Sequence, residues 1–178
     1  MKKNLVAALV ATFMVCLPLS AQNAKINLDQ LDKQLSKQAV VVSQDGLKLT
    51  LAKKAAAKAD PKIGEDLKDV EGIYVRTMEL KEGGPSLNEA IEPIKRQINE
   101  APWTPMAPAV KLVAGETINV SECYDPSTKK RKGVGVLVVQ NGKLVLINIV
   151  GDFPSKKLDK LKGKFGIPDW LNFGGDNN

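Results

Sequence analysis

The sequence predicts an α+β protein in which helices pack against one antiparallel β-sheet. Two observations support this prediction. Residues 26–100 alternate between segments with helical and with strand-like spacing of apolar residues, and residues 110–150 form short β-rich runs separated by turn residues. This order predicts about four to five antiparallel strands and a two-layer arrangement of sheet and helices.

The first 21 residues have the three parts of a cleavable secretory signal peptide. Lys2 and Lys3 supply a basic start, residues 5–17 form an apolar run, and residues 19–21 end in two small side chains. The apolar run is shorter than the roughly 20 residues that span a bilayer as a helix. We therefore expect residues 1–21 to be removed during export.

Two alternatives to a cleaved leader are weaker. Pro18 closes the apolar run, which argues against an uncleaved anchor, and Val15 is too large for the position before a lipidated Cys16. Cleavage leaves about 157 residues, enough for one hydrophobic core. We expect a single α+β domain over 22–173 and a frayed tail over 174–178, with no transmembrane segment once the leader is gone.

The N-terminal half of the mature chain contains three predicted helices and two predicted strands. They are a helix over 26–39, a strand over 39–43, a helix from Gly46 or Leu47, a strand over 72–80 and a helix after Ser86. Segment 44–58 is ambiguous, because Asp45-Gly46 is typical of a hairpin whereas the Ala- and Lys-rich residues 51–59 favour a helix. We favour the helix. Residues 60–69 are predicted to be a linker, and Pro93 is expected to kink or restart the third helix.

The C-terminal half predicts consecutive strands followed by a short basic helix. The strands cover 110–114, 117–124, 133–140 and 143–150, the helix covers 155–164, and a proline-stiffened loop precedes them over 101–108. Asn141-Gly142 is the strongest hairpin signal in the chain. The strand over 134–139 is apolar on both faces, so both need cover. That cover comes either from the N-terminal helices, from Trp170 and Phe173, or from a binding partner.

Several short motifs within residues 26–170 resemble those of one protein family. They are residues 72–76, Glu92-Pro93-Ile94, Trp103, residues 145–151, Leu158, Leu161 and residues 165–168. Together they resemble the bacterial exported family called domain of unknown function 4252. The resemblance implies a single-domain protein with a leader. It implies no site residue, because no activity is established for that family as a class.

Composition excludes several classes of function. The chain has no histidine, and Ser-His-Asp catalysis, Cys-His catalysis and most zinc sites need an imidazole. The formal net charge is +6, and residues 101–178 carry 11 basic against 7 acidic residues. This mild excess permits contact with an anionic surface without requiring it. We predict no metal, no cofactor and no nucleic-acid partner.

Six residues are candidate contact residues, namely Cys123, Lys129, Lys130, Arg131, Lys132 and Asn148. Strand alternation places Cys123 on the polar side of its strand, where an exposed thiol would be available for pairing or redox chemistry. Alternatively, Cys123 is a small half-buried filler, or a bulge turns it inward, and we favour this packing role. Asn148 interrupts an apolar strand face, and a buried amide needs hydrogen-bond partners.

The basic run 129–132 is either a contact for anionic lipid or glycan or a solvated hairpin tip, and we favour the tip. Ser127 and Lys130 match an S-x-x-K spacing, but they follow Asp125-Pro126 in a predicted turn and lack companion motifs. Glu122 and Asp125, with Glu116, are the nearest cluster of acids. We interpret them as surface charge, not as a glycosidase pair.

These observations predict an exported, non-catalytic protein of the cell envelope, periplasmic or secreted, that acts as a binding module. Its partner would be another envelope protein or a second copy of the chain. One alternative is a binder of anionic lipid or glycan surfaces through the basic C-terminal half. Another is an enzyme of unrecognised type.

Overall fold

The computed structural model describes residues 24–34, 39–79, 87–106, 110–111, 117–140, 142–171 and 173. In chain order the elements are helix α1 (Asp29–Gln34), strand β1 (Val40–Asp45), helices α2 (Gly46–Ala59) and α3 (Pro61–Asp66), strand β2 (Val70–Glu79), helix α4 (Leu87–Asn99), strands β3 (Trp103–Pro105), β4 (Val110–Lys111), β5 (Thr117–Tyr124), β6 (Arg131–Gln140) and β7 (Lys143–Gly151), and a 3₁₀ helix (Ser155–Leu161). The predicted leader over 1–21 and tail over 174–178 lie outside the described residues.

All seven strands belong to one antiparallel sheet, which confirms the predicted α+β class. The strand order is β1-β2-β7-β6-β5-β3, and β4 pairs with the same strand β5. The prediction of four to five strands was too low. The sheet is wider because β1 joins one edge, whereas β3 and β4 both join the other, β3 in a segment predicted as a loop.

The sheet is covered on both faces, so the predicted two-layer arrangement is wrong. Alternate residues of β7 point to opposite sides: Leu144 and Leu146 pack with α1, α4 and Trp103, whereas Val145 and Ile147 pack with α2, α3 and the 3₁₀ helix. We call these the α4 face and the α2 face. The physical reason is that β6 and β7 are apolar on both sides, and burying both stabilises the fold.

In the ambiguous segment 44–58, residues 46–58 belong to helix α2, which confirms the favoured helix, whereas residues 44–45 complete strand β1. Gly46 adopts φ +48°, a conformation that glycine tolerates, and joins β1 to α2 without a loop. Leu49 is the buried anchor of α2 on the α2 face. Phe173 packs against the same cluster, whereas Trp170 remains exposed.

The predicted linker over 60–69 instead contains helix α3. The Asp60 carboxylate accepts a hydrogen bond from the backbone N–H of Lys62 at 2.9 Å, and Pro61 occupies the first turn, where it costs no hydrogen bond. Ile63 then buries its side chain on the α2 face. Helix α4 continues through Pro93.

Candidate functional site

Cys123 is buried, contrary to an exposed thiol on a polar strand face. It lies on the α4 face, directly across the β3–β5 pairing from Trp103. Burial, with a smaller contribution from the Asp125 carboxylate, raises the pKa of the thiol to about 11. Such a thiol carries little thiolate at neutral pH and is a poor nucleophile. Its position supports the packing interpretation.

Asn148 has the hydrogen-bond partners that a buried amide requires. Its Nδ2 donates to the carbonyl oxygens of Ala24 at 2.9 Å and Val134 at 3.3 Å, and its Oδ1 accepts from the backbone N–H of Ile26 at 3.0 Å. The side chain therefore ties the segment before α1 to the centre of the sheet. Both the nitrogen and the oxygen of the amide are therefore engaged in hydrogen bonds that stabilise the fold.

The basic run lies at the tip between β5 and β6. Asp125 accepts hydrogen bonds from the Thr128 N–H at 2.8 Å, the Ser127 hydroxyl at 2.7 Å and the Ser127 N–H at 3.0 Å, which hold the pKa of this carboxyl well below its usual range. Ser127 is thus part of a turn and not of a catalytic helix. The side chains of Lys129, Lys130 and Lys132 are exposed at this tip.

Arg131 differs from its neighbours because it forms two ion pairs, one with a buried and one with an exposed carboxylate. Its guanidinium lies 3.0 Å from Glu122 and 2.8 Å from Asp152. Glu122, interpreted from sequence as surface charge, has only 2% of its side chain exposed and also accepts from the Ser155 N–H at 2.9 Å and from the Tyr124 hydroxyl. The surface interpretation of Glu122 is therefore wrong.

The hydrogen bonds at Glu122 outweigh the effect of its burial. Burial alone raises the pKa of this carboxyl, but the Tyr124 hydroxyl, the Ser155 N–H and Arg131 bring it below the usual value. The resulting cluster joins the β5–β6 tip to the start of the 3₁₀ helix. Its groups face one another, so it stabilises the tip.

Lysines in and directly after the 3₁₀ helix are partly neutralised by nearby carboxylates. Lys160 lies 3.0 Å from Asp66, Lys157 pairs with the same carboxylate, and Lys162 pairs with Asp159. The basic C-terminal half therefore offers less free charge than its composition predicts.

Sequence reasoning missed a partly buried ion pair on the α4 face, in which the Arg76 side chain is 7% exposed and that of Asp32 is 40% exposed. Arg76 binds Asp32 through two contacts, of 2.6 and 3.0 Å, and also donates to the Val42 carbonyl at 2.9 Å and the Ser43 hydroxyl at 3.2 Å. An arginine that directly follows the run Ile73–Tyr74–Val75 of β2 was the available signal. Its guanidinium lines a cleft of about 540 Å³ but is already occupied by these internal contacts.

The two edges of the sheet differ in how they are protected. Strands β3 and β4 are three and two residues long, and β3 ends at Pro105, which cannot donate to a further strand. Strand β1 has six residues with no proline and no lysine. Its Val40 and Val41 are 50% and 52% exposed. Among the described strands, only β2 pairs with β1.

Metal and membrane features are also absent from the residues that the structure describes. In these ranges no group of three or more acidic or cysteine side chains is placed to hold a metal ion. Over the same ranges no helix is long and apolar enough to cross a membrane.

No family model, curated protein or solved structure matches this chain.

Proposed function

We propose that this chain is an exported bacterial envelope protein, periplasmic or secreted, that acts without catalysis by binding another protein at the outer edge of β1. The observation that supports this proposal is the contrast between the two sheet edges. Natural sheets shield their edges with short strands, prolines or charged side chains, because an open edge pairs with other chains. β3 and β4 are shielded by their shortness and by Pro105, whereas β1 has six residues and its one charged side chain, Asp45, lies at its last position.

Contacts on both faces of the sheet also fix the position of strand β1. The Val42 carbonyl accepts from Arg76, and Val42 packs on the α2 face, so β1 is fixed from both sides of the sheet. An extended segment of a partner would add a strand through backbone hydrogen bonds. Val40 and Val41 point to opposite faces and would supply apolar contacts on each side.

A second copy of the chain could also pair with this edge of β1. In an antiparallel pairing of two β1 strands about a two-fold axis centred between Val42 and Ser43, Asp45 of one copy lies opposite Val40 of the other, so no like charges meet. The leader-like residues 1–21 and the resemblance to an exported family of unknown function support the envelope location.

Crosslinking in intact cells followed by affinity capture tests this proposal. The wild-type chain is compared with Val40→Lys/Val41→Lys, which places charge on the open edge, and with Gln30→Lys/Asn99→Lys, which adds the same charge at exposed positions on the α4 side. We expect the wild type and the control to capture the same protein and the β1 variant to lose it. Equal capture by a β1 variant with an unchanged circular dichroism spectrum would contradict the proposal.

Binding to anionic lipid or glycan is a second candidate function, favoured by charge asymmetry between the two helical layers. The layer on the α2 face, residues 46–69 and 152–171, contains eleven lysines and seven carboxylates. The layer on the α4 face, residues 24–34 and 87–100, contains four basic and five acidic residues. The exposed lysines 129, 130 and 132 add to the positive charge.

Salt-dependent elution from heparin tests this second candidate. Replacing Lys129, Lys130 and Lys132 by alanine should lower the salt concentration needed for elution. The candidate fails if the wild type is not retained at low salt.

A further inference from the structure

Helix α2 carries an apolar and basic stripe on the side that points away from the sheet. Leu47 and Leu51 are 75% and 58% exposed, although leucine is usually buried. Lys54 and Lys58 are also exposed and continue the stripe, because positions 47, 51, 54 and 58 follow the helical repeat. Leu49 lies on the opposite side and is buried in the α2-face cluster.

The stripe is presented by a firmly packed helix. A Cβ at Gly64 would lie 2.5 Å from the Cβ of Ala57, so α2 and α3 touch closely at this point. The ammonium group of Lys53 donates to the Lys68 carbonyl at 3.1 Å and also to the Val70 carbonyl, which ties the middle of α2 to the start of β2. The two exposed leucines are therefore a fixed surface feature.

The charge of helix α2 indicates which kind of partner the stripe binds. Helix α2 contains four lysines and no carboxylate, within a layer that has an excess of lysines. An anionic glycan offers little hydrocarbon for two leucines. A stable protein interface uses roughly 20–30 residues on each partner, whereas this stripe consists of four side chains on one helix. A bilayer containing anionic lipids supplies both phosphate groups and hydrocarbon at the required depth.

We propose that α2 docks on an anionic lipid bilayer, with Leu47 and Leu51 entering the boundary between headgroups and acyl chains and Lys54 and Lys58 contacting lipid phosphates. This inference rests on the second candidate function and names its anion and its contact surface. The α2 face would lie against the membrane. The near-neutral α4 face would point away from it.

Sedimentation with lipid vesicles tests the proposal. The protein is expressed from its full coding sequence and purified in the processed form that the cells produce. All variants therefore share the same N-terminus. It is mixed with vesicles of phosphatidylcholine alone, or with one-third phosphatidylglycerol. The variants are Leu47→Gln/Leu51→Gln and Lys54→Gln/Lys58→Gln on the stripe and Lys129→Gln/Lys130→Gln at the β5–β6 tip. The matched control is Lys33→Gln/Arg96→Gln, which removes the same charge at exposed positions on the α4 side.

We expect binding to the anionic vesicles only, weakened by added salt. The leucine variant should bind roughly tenfold more weakly, because two side chains no longer leave water. The stripe lysine variant should lose a similar factor, on the order of tenfold, at low salt. The control should remain within about twofold of the wild type if α2 is the contact. Thermal unfolding should not change for the leucine variant, because both leucines are exposed.

Four outcomes would overturn the inference. The first is equal binding by the leucine variant and the wild type, and the second is equal binding to neutral and anionic vesicles. In the third, the tip variant loses binding to vesicles and heparin while the stripe variants retain it, which leaves the second candidate function standing without α2. In the fourth, light scattering shows that the wild type is a dimer and the leucine variant a monomer. The stripe would then be an interface between two copies of the protein. No retention on heparin and no binding to anionic vesicles would remove the second candidate as well.

Discussion

The side-chain amide of Asn148 donates a hydrogen bond of 2.9 Å to the carbonyl oxygen of Ala24, a residue 124 positions earlier in the chain. The same amide accepts from the backbone N–H of Ile26. A single polar group in strand β7 thus holds the segment that leads into α1 against the α4 face. The interruption of an apolar strand by asparagine is explained by this attachment.

Replacing Asn148 by alanine should therefore destabilise the protein strongly. The change leaves the Ala24 carbonyl and the Ile26 N–H buried without their partner, at a cost of about 2–4 kcal/mol in the free energy of unfolding. Urea unfolding followed by circular dichroism measures this loss. The exposed Asn99→Ala serves as the control and should change stability by less than about 0.5 kcal/mol. A loss at Asn148 as small as the control's would contradict the assigned role.

The lowered pKa of Glu122 predicts a pH dependence of stability. Because the folded-state pKa lies below the usual value of 4.5, the carboxylate stabilises the fold above that pH, and this contribution is lost as the pH falls through the folded pKa. Glu122→Gln should reduce the unfolding free energy by about 2 kcal/mol at neutral pH. The difference from the wild type should shrink on acidification.

Urea midpoints of the wild type and Glu122→Gln at several pH values between neutral and about pH 3 check this prediction. Glu92→Gln, at an exposed position on α4, is the control. A difference between wild type and Glu122→Gln that stays constant over the whole range would show that its charge does not stabilise the tip.

The burial of Cys123 predicts a slow reaction with thiol reagents. With its pKa raised to about 11 and its side chain inside the α4 face, the native thiol should react with an aromatic disulfide reagent at least about a hundredfold more slowly than in urea. Absorbance of the released thiolate follows both reactions, and Cys123→Ser identifies the signal. Fast labelling of the native protein would show that the thiol is accessible.

The proposed leader over residues 1–21 predicts a defined mature N-terminus. Intact-mass spectrometry of the protein from the exported fraction should show a chain beginning at Gln22. Mutating Ala21 to a bulky residue should hinder cleavage and retain the precursor. A chain with an intact Met1 in the cytosol would rule out export.

Strand periodicity predicted much of the sheet because apolar alternation depends on local sequence. Strand β5 was predicted at the residues that form it, and α2 was favoured by its Ala- and Lys-rich run. Helix α3 was missed because a six-residue helix has too few apolar residues to show a period, and its local signals are limited to the cap at Asp60 and Pro61 in the first turn.

The candidate residues were predicted less well, because burial depends on what packs against a strand. Polar residues of β5 indicate a solvated face. However, Cys123 is buried beside its β3 partner Trp103, and Glu122 accepts from the start of the 3₁₀ helix and pairs with Arg131. Those partners lie distant in sequence from the residue they cover. The spacing within β5 therefore could not reveal them.

Site-specific photocrosslinking at Val41 in intact cells tests the proposed binding edge most directly. A photoreactive phenylalanine analogue is placed at Val41 on β1, and at the exposed Glu92 on α4 as the control. The proposal predicts one discrete adduct, found outside the cytoplasm, from Val41 and none from Glu92; the adduct's mass identifies either another protein or a second copy. No adduct at Val41, or the same adduct from both positions, would contradict it.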